Sequence, residues 1–198
     1  MSTTIRRSIL AALLILAGFA GAATPASAAD DPRTFISRLG DETVGLLSAS
    51  KPTPERRAKL EELLYRAFDF DTVSRLVLGR LWHQATPEQQ KAYQEVFADF
   101  VVQTYARRLA ENEISGYAIT DVQPLGDTDT MVETVIERPA AEAVRFGWRV
   151  RQKGEDPKII DVVVEGVSMV VSQRSEFASV VRRDGMDGLI ESLRSKVS

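Results

Sequence analysis

The feature that most constrains the fold of this chain is a change in the spacing of its apolar residues at Gly116. Before that residue, the apolar side chains of Pro87–Glu111 recur every three or four positions, which predicts the longest helix of the chain. Thr86 and Gln89 form a capping box at the start of this helix. After Gly116 apolar and polar residues alternate, as in Val144–Gln152, which predicts strands with one buried face. Helices followed by strands predict an α+β fold.

Shorter helices are expected ahead of the long one. Pro32 stands in the first turn of the first helix, and Thr53 caps the second. Asp71 is expected to cap a third, short helix, Thr72–Leu78. Gly79 is expected to end it, because glycine readily takes the backbone angles found at a helix C-terminus. The N-terminal part of the chain is therefore predicted to be a layer of helices.

The second half of the chain contains four candidate strands joined by short turns. Short connections between successive strands predict an antiparallel meander with one buried face. After the fourth strand, the chain is expected to turn at Gly166–Ser168 and to enter a helix that lies over the sheet, the first of two C-terminal helices. The candidate strands are Tyr117–Pro124, Met131–Arg138, Val144–Gln152 and Lys158–Glu165.

Residues 1–28 have the composition of a secretory signal peptide. Arg6 and Arg7 precede a short apolar run, Ile9–Ala20, and residues 26–28 read A-S-A, a small-residue cleavage site. The run is shorter than the about 20 residues that span a bilayer. Cleavage is expected to leave residues 29–198 as a single domain. The chain has no cysteine, so neither a disulfide framework nor a cysteine-linked lipid anchor is expected.

Charge and composition argue against several classes of function. Removal of the signal peptide takes the net charge from −3 to −5, and an acidic domain gains no counterion-release energy from nucleic acid. The only histidine, His83, is expected to be structural, because the chain has no nucleophile motif to pair with it. Neither a histidine pair nor a cysteine cluster suggests a metal site. The sequence predicts a protein that is not an enzyme and that needs no cofactor or metal.

Several segments of the chain resemble the MlaC family, the toluene-tolerance auxiliary proteins of Gram-negative ABC transport systems. The resemblance implies a periplasmic carrier that shields the acyl chains of one phospholipid. It also implies N-terminal helices packed on a curved antiparallel sheet of about four strands, with C-terminal helices completing a cone similar to that of nuclear transport factors. The matching residues are Phe70, Asp71, Leu78, Gly79, Trp82, Thr86, Pro87, Phe97, Tyr105, Asp161, Gly166, Val167, Ser168, Arg174, Ser175 and Phe177.

The resemblance further implies an apolar, lipid-binding cavity inside the cone. Two acyl chains hold about 30 methylene groups, and exposure of each costs about 0.8 kcal/mol, so a free lipid would pay about 24 kcal/mol in water. A cavity for both chains is expected to exceed about 1,000 Å³. The residues expected to line it are Phe70, Val77, Leu81, Trp82, Phe97, Phe100, Val101, Tyr105, Val132, Phe146, Trp148, Val150, Ile160, Val162, Val164 and Met169.

Membrane partners are implied by the same resemblance. The expected function is to shuttle phospholipid between the outer and inner membranes for an ABC transporter, which maintains outer-membrane lipid asymmetry. The expected partners are the inner-membrane ABC transporter complex, its substrate-shuttling domain, and an outer-membrane lipoprotein–porin complex. Arg145, Arg149 and Arg151 on the third strand are candidates for docking an acidic surface or a lipid phosphate. An ordinary solvated strand face, with these arginines paired to Asp161 and Glu165, is the alternative.

Other functions stay open at this point. In the hopanoid-associated HpnM branch of the same family the cargo would be a rigid polycyclic lipid, for which a flat, wide cavity is expected instead of a deep, two-lobed one. An envelope adaptor with a filled core would act through docking alone. A hydrolase on a similar cone would have to use His83. Arg174 and Asp71, both in matching segments, are candidates for a structural ion pair.

Overall fold

In a computed structural model of the protein we describe residues 31–47, 53–111, 114–139, 141–153 and 156–197. Helices come first and an antiparallel sheet follows, which confirms the predicted α+β class. The predicted signal peptide lies outside the described residues. The helices are α1 (Pro32–Leu47), α2 (Pro54–Ala67), α3 (Phe70–Leu78), a 3₁₀ helix (Gly79–Gln84), α4 (Pro87–Ala110) and α5 (Met169–Val197).

Local capping groups start α2 and α4 where the sequence predicts. The Thr53 hydroxyl accepts a hydrogen bond from the backbone N–H of Arg56 at 3.1 Å. The Thr86 hydroxyl accepts from the Gln89 N–H at 3.2 Å, and the Gln89 side chain accepts from the Thr86 N–H at 3.1 Å. These bonds satisfy N–H groups that have no partner within the helix, so local chemistry alone sets both starting points.

The cap of α3 lies two residues before the predicted one. Asp69, not Asp71, caps this helix, since its carboxylate accepts hydrogen bonds from the Thr72 N–H at 3.1 Å and the Thr72 hydroxyl at 2.8 Å. The prediction of Asp71 was wrong because a contact with the sheet fixes the chain just before the helix. There the Asp69 N–H donates to the carbonyl of Ile159 at 3.0 Å, and the helix begins at Phe70.

Five strands form one antiparallel sheet in sequence order, one strand more than predicted. After the fourth strand, Glu165 and Gly166 turn with φ angles of 48° and 82°, and Val167–Ser168 pairs back as a short fifth strand. The predicted turn at Gly166–Ser168 is therefore shorter than expected. The strands are β1 (Gly116–Leu125), β2 (Asp129–Arg138), β3 (Ala141–Lys153), β4 (Asp156–Val164) and β5 (Val167–Ser168).

Asp161 ties the start of α5 to the sheet. Its carboxylate accepts hydrogen bonds from the Ser168 hydroxyl at 2.6 Å and from the Val170 N–H at 3.1 Å. Farther along, α5 bends at Gly185, whose φ of 74° and ψ of 179° lie outside the helical region. The two predicted C-terminal helices therefore occur as two helical segments joined at a kink.

A filled core lies among α3, α4 and α5. Tyr93 and Phe97 of α4 have ring centroids 5.3 Å apart. Phe177 of α5 meets these two rings edge-on, at centroid distances of 6.2 Å and 6.3 Å. All three side chains are at most 4% exposed. Edge-to-face contacts of this kind add to the free energy of burial and fix the relative orientation of the two helices.

Arg174 joins α5 to the end of α3. Its guanidinium donates two hydrogen bonds to the carbonyl of Leu76, at 2.6 Å and 3.0 Å, in place of an ion pair with Asp71. Gly79 ends α3 with a φ of 54°, and a Cβ at that position would lie 3.3 Å from Nε of Arg174. Glycine is thus favoured both by the backbone angle and by the close approach of the arginine.

Candidate functional site

The helices and the sheet leave an apolar cavity of about 170 Å³ between them, which we call cavity A. One side is formed by α2, α3, α4 and the first turn of α5, and the other side by β3 and β4. Its lining surface is almost entirely apolar. The lining residues are Leu64, Phe68, Phe70, Val73, Val77, Phe97, Val101, Tyr105, Leu109, Phe146, Trp148, Asp161, Val162, Val164, Met169, Val170 and Gln173.

A second apolar cavity of about 120 Å³, cavity B, lies between α1, α2 and the outer part of the sheet. Each of the first four strands contributes at least one residue to its lining, and two residues of β3 line both cavities. The lining residues are Ile36, Leu39, Gly40, Thr43, Val44, Leu63, Leu64, Ala67, Phe68, Leu109, Ile114, Tyr117, Thr134, Ile136, Phe146, Trp148 and Ile159.

Cavities A and B share a wall. Phe146 and Trp148 lie two residues apart on β3, so their side chains are on the same face of the sheet. Their rings stack with centroids 5.5 Å apart and planes at 14°. From the helices, Leu64, Phe68 and Leu109 line both cavities as well. The two cavities are therefore two lobes of one apolar layer, divided by aromatic and leucine side chains.

One hydrogen bond fixes the indole in this wall. Trp148 Nε1 donates to the hydroxyl of Thr134 at 2.9 Å. Thr134 lies on β2 and is only 2% exposed. A buried indole N–H without a partner is costly, so this bond holds the Trp148 ring in the wall between the lobes.

Five polar side chains that line the cavities have hydrogen-bond partners: Thr43, Tyr117, Thr134, Asp161 and Gln173. Asp161 accepts the bonds at the start of α5 described above. The Tyr117 hydroxyl lies 2.7 Å from the carbonyl oxygen of Ser37 and 2.8 Å from the carboxylate of Asp41. No buried side-chain nitrogen or oxygen of the described residues lacks a partner. The interior therefore offers shape and apolar surface to a ligand rather than polar recognition.

Ten of the sixteen residues predicted to line a lipid cavity lie around cavity A. The strand residues among them alternate on one face of β3 and β4, as the sequence pattern predicts. These ten residues are Phe70, Val77, Phe97, Val101, Tyr105, Phe146, Trp148, Val162, Val164 and Met169.

The other six predicted residues line neither cavity: four are buried in the packed core, and Leu81 and Trp82 are partly buried against it. Val132 and Val150 are 0% exposed beneath α1 and α2. Ile160 faces the filled core because the register between β3 and β4 shifts there, so that Ile159 and Ile160 are both buried. Such a bulge breaks the strict alternation on which the prediction relied. The six residues are Leu81, Trp82, Phe100, Val132, Val150 and Ile160.

Sequence reasoning missed cavity B and part of cavity A. Leu64 and Phe68 of the shared wall belong to the apolar stripe of α2, and Ile36 and Leu39 belong to that of α1. Helical spacing of apolar residues can identify such stripes as inward-facing. It could not show that the space they face is partly empty, since a filled core and a cavity wall need the same residue types.

Two of the three arginines proposed for docking converge on one carboxylate. Asp129, 5% exposed at the start of β2, accepts hydrogen bonds from Arg149 Nε at 2.7 Å and from Arg151 Nε at 2.6 Å. These bonds, above all those from Arg151, lower the pKa of Asp129 to about 2 although burial opposes the shift. The cluster joins the turn between β1 and β2 to the end of β3.

The third arginine of the row pairs as the alternative reading expects. Arg145 and Glu165 form an ion pair of 2.7 Å across the sheet, with 74% and 45% of their side chains exposed. Asp161 does not join the row, because its carboxylate caps α5 instead. Docking of a partner by this row stays a prediction.

Other chemistry finds little support in the described part of the chain. His83 is exposed on the 3₁₀ helix and lines neither cavity. Within the described ranges no cluster of three histidine or acidic side chains is placed to hold a metal ion. Over the same ranges, none of the helices has the apolar length needed to cross a bilayer.

The chain therefore has an α+β fold in which a helix layer and an antiparallel sheet enclose two apolar cavities, an interior of the kind in which apolar ligands bind. The model of the MlaC protein family matches residues 38–195, and the chain belongs to that family.

Two curated relatives carry names from the same family. The intermembrane phospholipid transport system binding protein MlaC of Haemophilus influenzae is 25% identical over 126 residues, which cover 62% of this chain and 59% of that protein. This match therefore spans less than two thirds of the relative. The toluene tolerance protein ttg2D of Pseudomonas putida is 23% identical over 166 residues, which cover 81% of this chain and 77% of that protein.

A solved structure shares the fold over most of both chains. The phospholipid-binding protein of Ralstonia solanacearum, determined in complex with a phospholipid, superposes with a TM-score of 0.71 at 26% sequence identity. The match covers 85% of this chain and 97% of that one. The arrangement of helices and sheet described above is therefore the arrangement found in a protein solved with a bound phospholipid.

Proposed function

We propose that this protein is a periplasmic carrier that encloses the acyl chains of a phospholipid between its helices and its sheet. The observation that carries the proposal is the pair of apolar lobes, cavities A and B, in a chain of the MlaC family. Support comes from the Ralstonia solanacearum protein of the same fold, which was solved with a phospholipid. Binding without catalysis is part of the proposal, because the lining offers apolar surface and its polar groups are already hydrogen-bonded.

The two-lobed interior favours two flexible chains over a rigid polycyclic lipid. A hopanoid needs one flat, wide space, whereas the side chains of Phe68 and Trp148 divide this interior between cavities A and B. An acyl chain can enter each lobe separately. The shape of the interior thus argues for a diacyl phospholipid as cargo, with one chain in each lobe.

The lobes must widen before a lipid fits. Their volumes of about 170 and 120 Å³ are far below the roughly 1,000 Å³ expected for two acyl chains. The shared wall contains only side-chain contacts between the helices and β3, so separating these layers breaks few hydrogen bonds. Asp69 N–H to Ile159 and Val170 N–H to Asp161 hold the layers together at β4.

The carrier would serve transport between the two membranes. We propose that it exchanges phospholipid with an inner-membrane ABC transporter through its substrate-shuttling domain, and with an outer-membrane lipoprotein–porin complex, thereby maintaining outer-membrane lipid asymmetry. The names of the two relatives support this role, since one is a binding protein of an intermembrane phospholipid transport system and the other a toluene tolerance protein. Exposure of about 30 methylene groups would cost a free lipid about 24 kcal/mol, so such transfer needs a carrier.

Native mass spectrometry of the protein purified from a periplasmic extract, followed by lipid extraction, tests the proposal. We expect one bound phospholipid per chain. Val101→Trp places an indole in cavity A and should abolish loading from liposomes. Val171→Trp, an equal change at a residue that is 59% exposed, is the matched control and should load normally.

Three results would contradict the proposal. A bare polypeptide mass that persists after incubation with liposomes would leave a docking adaptor as the better reading. A bound hopanoid would show that the cargo is a polycyclic lipid and not a diacyl phospholipid. Normal loading of Val101→Trp would show that cavity A is not where the acyl chain lies.

A further inference from the structure

Tyr105 and Gln173 mark the boundary between cavity A and solvent. Both side chains line the cavity, and both are only partly buried. Tyr105 lies in the second half of α4 and Gln173 in the first turns of α5, so these two helices both contribute to the wall of cavity A. A lipid whose chains fill the interior would have its polar headgroup near such a boundary.

A cation stands over the tyrosine at this boundary. The guanidinium carbon of Arg108 is 5.7 Å from the centre of the Tyr105 ring. In the described part of the chain four cations stand over aromatic rings, and only the Tyr105 ring lines cavity A or B. The four pairs are Arg38–Phe35, Arg75–Trp82, Arg108–Tyr105 and Lys196–Phe100.

An anion stands beside the same boundary. Gln173 Nε2 donates a hydrogen bond of 3.1 Å to the carboxylate of Glu176, which is exposed one turn farther along α5. The electrostatics of Tyr105 agree with this placement. Burial raises the pKa of its phenol most, the charge of Arg108 lowers it, and the charge of Glu176 raises it. A positive and a negative group therefore flank one phenol at the edge of the cavity.

We propose that Arg108 and Glu176 form a headgroup site for a zwitterionic phospholipid at the edge of cavity A. The guanidinium of Arg108 binds the lipid phosphate, which it can contact through two N–H groups. The carboxylate of Glu176 binds a primary amine such as that of phosphatidylethanolamine. This inference rests on the proposed function, because it needs the acyl chains to occupy the interior.

Opposite charges at the site predict a selectivity that the apolar lobes alone do not give. An anionic headgroup without an amine gains the contact with Arg108 but is repelled by Glu176. Diacylglycerol with the same acyl chains has no phosphate and gains neither contact. The wild-type protein should therefore load phosphatidylethanolamine in preference to phosphatidylglycerol, and both in preference to diacylglycerol.

The test is competitive loading of the delipidated protein from vesicles that contain phosphatidylethanolamine, phosphatidylglycerol and diacylglycerol with identical acyl chains. Native mass spectrometry gives the ratio of the three bound lipids. Arg108→Gln should lower the loading of both phospholipids relative to diacylglycerol by roughly three- to tenfold, as expected for a charge-assisted contact that is partly exposed. Glu176→Gln should shift the ratio toward phosphatidylglycerol by roughly two- to fivefold.

The chain offers a matched control for each variant. Arg107 is the neighbouring arginine on α4 and lines neither cavity, so Arg107→Gln should keep the wild-type ratios. Glu191 is an exposed acid of α5, with 77% of its side chain accessible, so Glu191→Gln should keep them too. Glu176 is exposed, and its replacement should leave the thermal unfolding midpoint unchanged. Arg108 also stands over the Tyr105 ring, so the unfolding midpoint of Arg108→Gln is measured alongside its lipid ratios.

The outcomes separate this proposal from the one on which it rests. If wild-type protein loads lipid but the two variants keep wild-type ratios, the headgroup site is overturned and the carrier function stands. If the Arg107→Gln control changes the ratios as much as Arg108→Gln, the effect is one of net charge and the site is likewise overturned. If the wild-type protein takes up none of the three lipids, the carrier function itself fails.

Discussion

The two halves of α4 face interiors of different kinds. In the first half, Tyr93 and Phe97 pack against Phe177 of α5, and all three rings are almost fully buried, although Phe97 also borders cavity A. In the second half, Tyr105 and Leu109 line cavities. The apolar spacing along the helix is the same throughout, so one periodic sequence serves both a filled core and a partly empty layer.

The two interiors therefore have different roles: the filled core stabilises the fold, and the layer with the cavities has room for a ligand. The filled core among α3, α4 and α5 has close ring contacts that lose energy when they separate. The layer between helices and sheet is held by hydrogen bonds at β4 and at Tyr117 of β1, and by the packed residues beneath α1 and α2. Around cavities A and B its side-chain contacts leave space. We therefore expect the contacts around cavity A to yield more easily than those within the filled core.

The largest effect is expected from breaking the filled core. Phe177→Ala should lower the free energy of unfolding by about 3–5 kcal/mol, because it removes a buried ring that three other rings contact and leaves a cavity. Phe146→Ala in the shared wall should cost only about 1–2 kcal/mol, because this ring is partly exposed and already borders empty space. Urea denaturation measures both. Equal costs would mean that the two interiors do not differ in packing.

The sequence predicted those parts of the fold that depend on local chemistry. Thr53 and Thr86 start helices because their hydroxyls accept backbone hydrogen bonds within the next turn, and no distant residue is needed. The cap of α3 shows where local chemistry is not sufficient for the prediction. The sequence F-D-F-D offers two carboxylates, and a hydrogen bond to Ile159, far away in sequence, decides for Asp69. The two-residue strand β5 likewise exists only because β4 lies beside it.

The sequence predicted which faces of the helices and strands point inward, but it could not predict where empty space remains between them. Phe100 and Val101 are neighbours on α4, yet Phe100 packs in the filled core and Val101 lines cavity A. Ile160 and Val162 are two apart on β4, and a bulge separates their environments. Apolar spacing identifies inward-facing residues, whereas register shifts and the fit between layers decide which of them border a cavity.

A smaller effect is expected at the ionic cluster of Asp129, Arg149 and Arg151, at one end of the sheet. The folded state lowers the pKa of Asp129 from 3.8 to about 2, so ionised Asp129 contributes about 2 kcal/mol to stability. This contribution is complete above the unfolded pKa, near 4, and is lost as the pH falls through about 2. Asp129→Asn should therefore be less stable than the wild type by about 2 kcal/mol at pH 7.

Urea unfolding at several pH values distinguishes this charge effect from a general loss of packing. The difference between the wild type and Asp129→Asn should shrink to about half at pH 3, because the wild-type carboxylate is then partly protonated in the unfolded state. Asp127→Asn, in the exposed turn two residues earlier, should match the wild type throughout. A difference that is the same at pH 7 and pH 3 would show that hydrogen-bond geometry, and not the charge of Asp129, stabilises the cluster.

The smallest effect is expected at the far wall of cavity B, where α1 meets β1. A Cβ at Gly40 would lie 2.4 Å from the Tyr117 ring, so Gly40→Ala must displace that ring from the wall. The strain of about 1–3 kcal/mol is offset by about 1 kcal/mol of helix propensity, which leaves a net loss of up to about 2 kcal/mol.

Gly45→Ala on the same helix is the matched control, since nothing lies within 4 Å of its Cβ position. It gains the helix propensity without the strain, so it should raise the free energy of unfolding by about 0.5–1 kcal/mol. Opposite signs for the two variants in urea denaturation would show that Tyr117 packs tightly against α1 and closes the hollow layer on this side. If Gly40→Ala stabilised the protein as Gly45→Ala does, the Tyr117 ring would move aside at little cost. Helix α1 would then separate from β1 as readily as the helices separate from β3 at the shared wall.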